Sequence, residues 1–192
     1  MNLSVAIVCV QRSGSHMLAS ALDSHPLVGS YGEFIGRTHP VPFPTDPVVV
    51  GIIMYDQWDA ALAAGVAIER VIHLVRDPRQ TAASSLRNRQ SRATNGPAHR
   101  AHTKQGQPLP PILPIDLHAV DRLAADRAQQ QVAFRQCLRD RDVLEVHYEA
   151  LTGNRSISAL PDAESRRLLD WLGLPFTRLR TCYVKTGPVG GA

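Results

Sequence analysis

Cysteine is scarce in this chain: Cys9, Cys137 and Cys182 stand far apart among 192 residues, with no CxxC pair between them. That spacing supplies neither a disulfide framework nor a thiolate zinc site, so a reduced, cytoplasmic setting without a structural metal is the expectation. No apolar run approaches the length of a membrane span. The strongest, Leu3 to Val10, is too short to cross a bilayer and lacks the basic leader and small-residue cleavage site of a secretory signal. No transmembrane anchor is expected. Two common nucleotide motifs are missing as well. Without GxxxxGKS or GxxxxGKT no lysine reaches outer phosphates and no hydroxyl meets magnesium, which argues against an ordinary ATPase or kinase. Without GxGxxG, hydride transfer has no foothold.

What remains is ordinary globular composition, 44% hydrophobic and 20% charged, which argues against general disorder. A chain of 192 residues fits one domain over residues 1–192. The formal charge of +4 suits an anionic partner. A balance this modest does not distinguish a phosphorylated cofactor from nucleic acid or an acidic polysaccharide.

Leu3 to Val10 reads as a buried first strand, followed by the polar turn Gln11-Arg12-Ser13-Gly14-Ser15 and by Met17, Leu18, Ala21 and Leu22 at helical spacing. Further strands are expected at Leu27 to Phe34, Val48 to Tyr55, Val71 to Val75 and Val143 to Tyr148. Helices are expected at Gln57 to Ala64, Arg79 to Arg92, Asp116 to Arg139 and Asp162 to Leu172, the last stopped by Gly173. The order predicts an α/β fold, a three-layer sandwich with a mostly parallel central sheet. The stretch around 94–115, rich in Gly, Pro, Gln and His, reads as a flexible or acceptor-binding insertion.

A turn that leaves a buried strand and opens a helix gathers backbone donors, and such a turn cradles phosphate oxygens. Arg12 adds guanidinium donors, Ser13 and Ser15 add hydroxyls, and Gly14 lets the backbone approach closely. The competing account makes Ser13 or Ser15 a simple helix cap. A second cluster, Arg76-Asp77-Pro78-Arg79 with Ser84 in the next helix, follows the strand Val71 to Val75. Ligand sites lie outside the carboxyl ends of parallel strands, so Arg76 shares a rim with Arg12. Two anion sites on one rim suggest a nucleotide phosphorylated at two places. Here the competing account pairs Arg76 with Asp77 or Glu69 on the surface.

At these two segments the chain resembles the sulfotransferase superfamily, in particular its bacterial and carbohydrate type. The family's PRSGST signature is matched by Gln11-Arg12-Ser13-Gly14-Ser15-His16-Met17-Leu18, with His16 in place of the usual threonine. The family's arginine followed eight positions on by serine is matched by Arg76 and Ser84. The resemblance implies 3'-phosphoadenosine 5'-phosphosulfate as cofactor, its 5'-phosphate held by the first turn, Gln11 to Met17, and its 3'-phosphate by Arg76 and Ser84. Similarity extends to Gly32-Glu33-Phe34, where carbohydrate-type members carry a catalytic carboxylate, to Tyr148-Glu149-Ala150-Leu151 and to Leu169 through Leu174. The tail from Arg180 through Lys185 to Gly187 resembles a cofactor-closing segment, with Lys185 a phosphate contact. A lysine frequent in the family's third strand is replaced by Ile52 or Ile53.

Sulfuryl transfer needs charge stabilisation and a base for an ordinary hydroxyl. Arg12 is expected to supply the first and Glu33 the second, with His16 as the competing base. His73, inside an apolar strand, reads as a packed structural histidine, and the spacing of His99, His102 and His118 specifies no metal site. The expected partner is a hydroxyl-bearing small molecule or carbohydrate, and a homodimer is left open. The run Arg87, Arg89, Arg92 and Arg100, with Lys104, reads as a basic rim around the cofactor entrance, a recruiter of an acidic acceptor, or simply an exposed polar helix and loop. Two alternatives stand beside the transferase reading: a sulfotransferase-like nucleotide-binding protein weakened in catalysis, and an RNA or polyanion binding module suggested by the net positive charge and the arginine-rich middle.

Overall fold

Strand β1, Leu3–Cys9, is the axis of the fold, hydrogen-bonded on one side to β3, Val48–Met54, and on the other to β4, Arg70–Val75. A computed structural model describes residues 2–33, 45–93, 102–104, 114–153 and 157–185. Strand β2, Val28–Glu33, and strand β6, Val143–His147, complete a five-stranded sheet in the order β2-β3-β1-β4-β6, parallel throughout. The inner strands are apolar runs without polar alternation because both of their faces are covered.

The two faces are distinct. Val5, Ile7 and Cys9 point toward α1, Ser15–Asp23, and α6, Asp162–Leu172, where Met17, Leu18, Leu22, Leu168 and Leu169 close the larger core. Ala6 and Val8 point the other way, toward Trp58 and Ala61 of α2, Trp58–Ala63, and Phe134 of α4, Leu117–Cys137. The result is the expected three layers. Each fully buried Leu or Ile on these faces contributes about 1.5–3 kcal/mol. Helix α3, Pro78–Ala93, leaves the carboxyl end of β4 and packs on α4 through Ala82, Ala83, Val120 and Leu123. The α4 start is capped by Asp116, whose carboxylate accepts from the His118 amide at 2.9 Å.

Several local readings are corrected. Tyr148 does not extend β6; it begins a short helix, α5, Tyr148–Thr152. Tyr55–Gln57 forms a single 3-10 turn before α2, held by Gln57 accepting from the Met54 amide at 3.1 Å. Inside the expected 94–115 insertion lies strand β5, His102–Lys104, antiparallel to β7, Tyr183–Lys185, so this insertion and the C-terminal tail meet in a second small sheet. His99 and the rest of that insertion, other than 114 and 115, lie outside the described residues. Among the described residues no helix is long and apolar enough to cross a membrane.

Candidate functional site

Chain order reverses between β1 and β4: from β1 the chain moves outward to β2 and β3, then crosses back to β4 and β6. In an open parallel sheet the crevice for a ligand lies outside the carboxyl ends of the strands at such a point. Both turns singled out in the sequence leave the sheet there.

The turn after β1 takes two residues through left-handed backbone, Gly14 at φ 94° and Arg12 at φ 72°. For glycine this is free, whereas for arginine it costs about 1–2 kcal/mol, strain that persists only where the surroundings hold it. The serines do not do what a capping reading requires. The Ser13 hydroxyl is buried and donates backward to the Val10 carbonyl at 2.8 Å. The Ser15 hydroxyl is buried against the Cys9 thiol. No side chain caps α1, so its first amides are left for a ligand or water. Gln11 is exposed and Arg12 half-buried at the same turn. Met17 is a core residue, its side chain buried and its amide donating to the Gly14 carbonyl at 3.0 Å. Burial pushes the Cys9 thiol up to about 12, which removes it as a nucleophile.

Arg76 is buried rather than paired on the surface, which overturns its competing account. One guanidinium nitrogen donates to the Arg12 carbonyl at 2.8 Å and another to Gln80 Oε1 at 3.2 Å. The guanidinium lies over the Tyr148 ring, 4.3 Å from its centroid. Gln131 of α4 donates to the Arg76 carbonyl at 2.8 Å. Glu149 accepts from the Asp77 amide at 3.1 Å, tying α5 to the start of α3. Glu69 is occupied elsewhere, accepting from the Ser4 amide. Burial lowers the Arg76 pKa, opposed by Tyr148, Glu149 and Asp77; an arginine stays charged even so. The Arg76 Nε and the buried Ser84 hydroxyl have no hydrogen-bond partner.

Glu33 ends β2 on the same rim, with its carboxylate Oε1 3.3 Å from His16 Nε2 and both side chains half open to solvent. The two candidate bases are therefore one hydrogen-bonded pair. Ile52, the register partner of Glu33, and Ile53 are both fully buried, so the family's lysine has no counterpart in this strand. Lys185 ends β7.

His73 is the packed residue expected, buried with Tyr55 OH 2.6 Å from its Nε2 and Glu145 3.1 Å from its Nδ1. Burial lowers its pKa against the pull of Glu145, while burial raises that of Tyr55. Tyr55 thus donates to Nε2 and the Nδ1 proton goes to Glu145.

Sequence reasoning assigned no role to Tyr148, Glu149, Gln80 or Gln131, the residues that hold Arg76 in place. The adjacent Tyr148-Glu149 after a strand was the available signal. Gln80 and Gln131 carried none, because they act through a helix-helix contact.

A family model described as "Sulfotransferase family" matches residues 69–178. No curated protein matches the chain. A solved structure described as the sulfotransferase domain from the Curacin biosynthetic pathway aligns with TM-score 0.58 and 17% identity, over 92% of this chain and 76% of that chain. At that identity the likeness speaks to the fold alone, and it agrees with the α/β fold described above. With more than half of the chain matched by the family model, the protein belongs to the sulfotransferase family.

Proposed function

We propose that this chain binds 3'-phosphoadenosine 5'-phosphosulfate and transfers its sulfuryl group to a hydroxyl of a carbohydrate or small-molecule acceptor. The observation that carries the reading is the join between the two anion turns, where the Arg76 guanidinium donates to the Arg12 carbonyl. One guanidinium thereby links both turns across the switch point of the sheet.

The residues present fit a nucleotide phosphorylated at two places. At one end are the uncapped amides at the start of α1 and the Arg12 guanidinium, a P-loop-like phosphate-binding turn. At the other end are two buried donors with no partner, Arg76 Nε and the Ser84 hydroxyl, and a buried donor without a partner costs free energy until a ligand or water meets it. The family resemblance adds Lys185, at the end of β7, as a further phosphate contact. The tail amides step backward along α1, Arg180 to the Ser24 hydroxyl at 2.9 Å and Cys182 to the Ser20 hydroxyl at 3.4 Å.

When bound, the nucleotide supplies an activated sulfuryl group. The chain's own part is to donate to its oxygens from Arg12 and the α1 amides, and to take a proton from the acceptor. Glu33 takes that proton. His16 keeps the carboxylate oriented, so the two residues act together and not in competition. Arg87 is buried, which withdraws it from the basic surface that a polyanion reader would need.

Calorimetric titration tests the reading. Adenosine 3',5'-bisphosphate is expected to bind at least tenfold tighter than adenosine 5'-monophosphate, because only the former engages Arg76 and Ser84. Equal affinity, or preference for polynucleotide with a steep salt dependence, would overturn it.

A further inference from the structure

A basic cleft lies away from the rim. Past α6 the chain returns antiparallel to the segment before that helix, with the Leu160 amide donating to the Leu179 carbonyl at 2.9 Å and Thr181 to the Ser158 carbonyl at 3.0 Å, around the bridge of Ala159 to Arg180. Leu160 and Leu179 are fully buried. Side chains alternate along extended chain, so Arg178 and Arg180, on either side of Leu179, both face outward. With Ile157, Ser158 and Ala159 they line a cleft of about 460 Å³. That is the volume of a small-molecule site, room for an organic ligand and not merely a bare ion. The Arg180 amide donates to the Ser24 hydroxyl, and Ser24 closes α1 at the end opposite the phosphate turn. The nine residues of α1 put about 14 Å of helix between the two places.

The charges in this cleft do not balance. Two arginines on one face of an extended segment stand roughly 7 Å apart along the chain and repel each other. Against them, among the described residues, stands the Asp162 carboxylate at the start of α6, 3.2 Å from Arg178 Nε, with the two side chains 63% and 65% exposed. Glu164 is taken by Arg167. The Arg180 guanidinium has no hydrogen bond or ion pair with any described residue. One positive charge is therefore left over in a concave site, where it concentrates anions. The paired backbone and the buried leucines hold both arginines at the cleft in advance, so ordering on binding falls on their side chains alone.

The geometry narrows the occupant further. A carboxylate has two oxygens in one plane, and a single guanidinium fork takes both. A sulfate or phosphate group joined to carbon through one oxygen keeps three free oxygens that point apart, enough to meet a fork on each side and the Ser158 hydroxyl. Ile157 and Ala159 bring no polar side-chain atom to the cleft, so the carbon body that rests on them is apolar. We propose that this cleft is a second ligand site, which binds a small organic ester of sulfate or phosphate with its charged end between Arg178 and Arg180. The site is additional to the donor and acceptor sites and stands without them.

Amide NMR of the full chain, titrated with phenyl sulfate, phenyl phosphate, phenol and inorganic sulfate, tests this. The amides of residues 157–159 and 178–180 are expected to shift with the esters and not with phenol, and inorganic sulfate is expected to bind more weakly than either ester. Whichever ester binds tighter names the source of the ligand, and both results support the site. Arg178→Gln and Arg180→Gln are each expected to weaken ester binding about fivefold, and Ala159→Glu, which sets a carboxylate opposite Arg180, to abolish it. The phenyl phosphate shifts at the cleft are expected to persist with one equivalent of adenosine 3',5'-bisphosphate present, and Arg178→Gln to leave bisphosphate affinity within about twofold. Ester shifts confined to the turn at residues 11–16, phenol or inorganic sulfate matching the esters, or ester binding unchanged in all three variants overturns the second site and leaves the donor reading standing. Wild type that shows the cleft shifts but fails to bind the bisphosphate overturns the donor reading and upholds the second site.

Discussion

Replacing Arg76 with lysine keeps the charge and removes the shape, which makes it the sharpest probe of how the two anion turns cooperate. In the folded chain Arg76 reaches the Arg12 carbonyl at 2.8 Å and Gln80 at 3.2 Å while lying 4.3 Å over the Tyr148 ring. A lysine ammonium cannot fork to both acceptors and stack flat on the ring. Loss of the desolvated stacking contributes about 2 kcal/mol, which for a chain of this length lowers Tm by roughly 4–8 °C. The binding loss is separate. One charge-assisted hydrogen bond to the 3'-phosphate is worth about 1.5–3 kcal/mol, so affinity for adenosine 3',5'-bisphosphate falls roughly 10- to 150-fold. Adenosine 5'-monophosphate, which lacks that phosphate, keeps its affinity within a few fold. Calorimetry with both nucleotides, alongside thermal melts, separates the effects. An equal loss for both would show that Arg76 acts only by bracing the Arg12 turn. No loss for either would remove it from the site.

Three other outcomes follow from the same geometry. Glu33→Gln is expected to lower turnover at least 100-fold with bisphosphate affinity unchanged, and His16→Asn to lower it less; unchanged turnover in Glu33→Gln refutes its role as base. The folded pKa of His73 lies below its ordinary 6.5, so the unfolded chain binds the extra proton first as pH falls. Stability is therefore expected to decline as pH drops through about 6.5 toward the folded value, with a further loss lower down as Glu145, held below the usual carboxylate range chiefly by Arg135, is protonated. Melts of wild type and His73→Gln between pH 8 and 4.5 check this, since the variant lacks the first decline. Thiol titration of the native protein is expected to count the exposed Cys137 and Cys182, with Cys9, buried and raised to about 12, reacting only after denaturation.

What was legible in the sequence follows a physical division. The β1 run, the turn after it and the helical spacing of Met17, Leu18, Ala21 and Leu22 are local patterns, and each became the element expected of it. Pro78 near the start of α3 and Gly173 at the left-handed end of α6 are likewise local signals with one structural meaning. The β5–β7 pairing was illegible because it joins His102–Lys104 to Tyr183–Lys185, segments with no periodicity of their own. The support of Arg76 was only half legible: its position after β4 could be read, but the ring beneath it comes from α5, and the amide that holds its carbonyl comes from α4.

The same division explains the one segment where composition misled. Arg87, Asn88 and the serines of α3 look like a solvated helix face by any local measure, because polarity is the usual mark of exposure. They are buried because α4 covers the apolar side and the fold encloses the polar one. A helix that is polar where it is enclosed contradicts the rule that matches pattern to environment, and such contradictions are tolerated chiefly where a ligand resolves them. Among the described residues the α3 stripe and the left-handed Arg12 are two such contradictions.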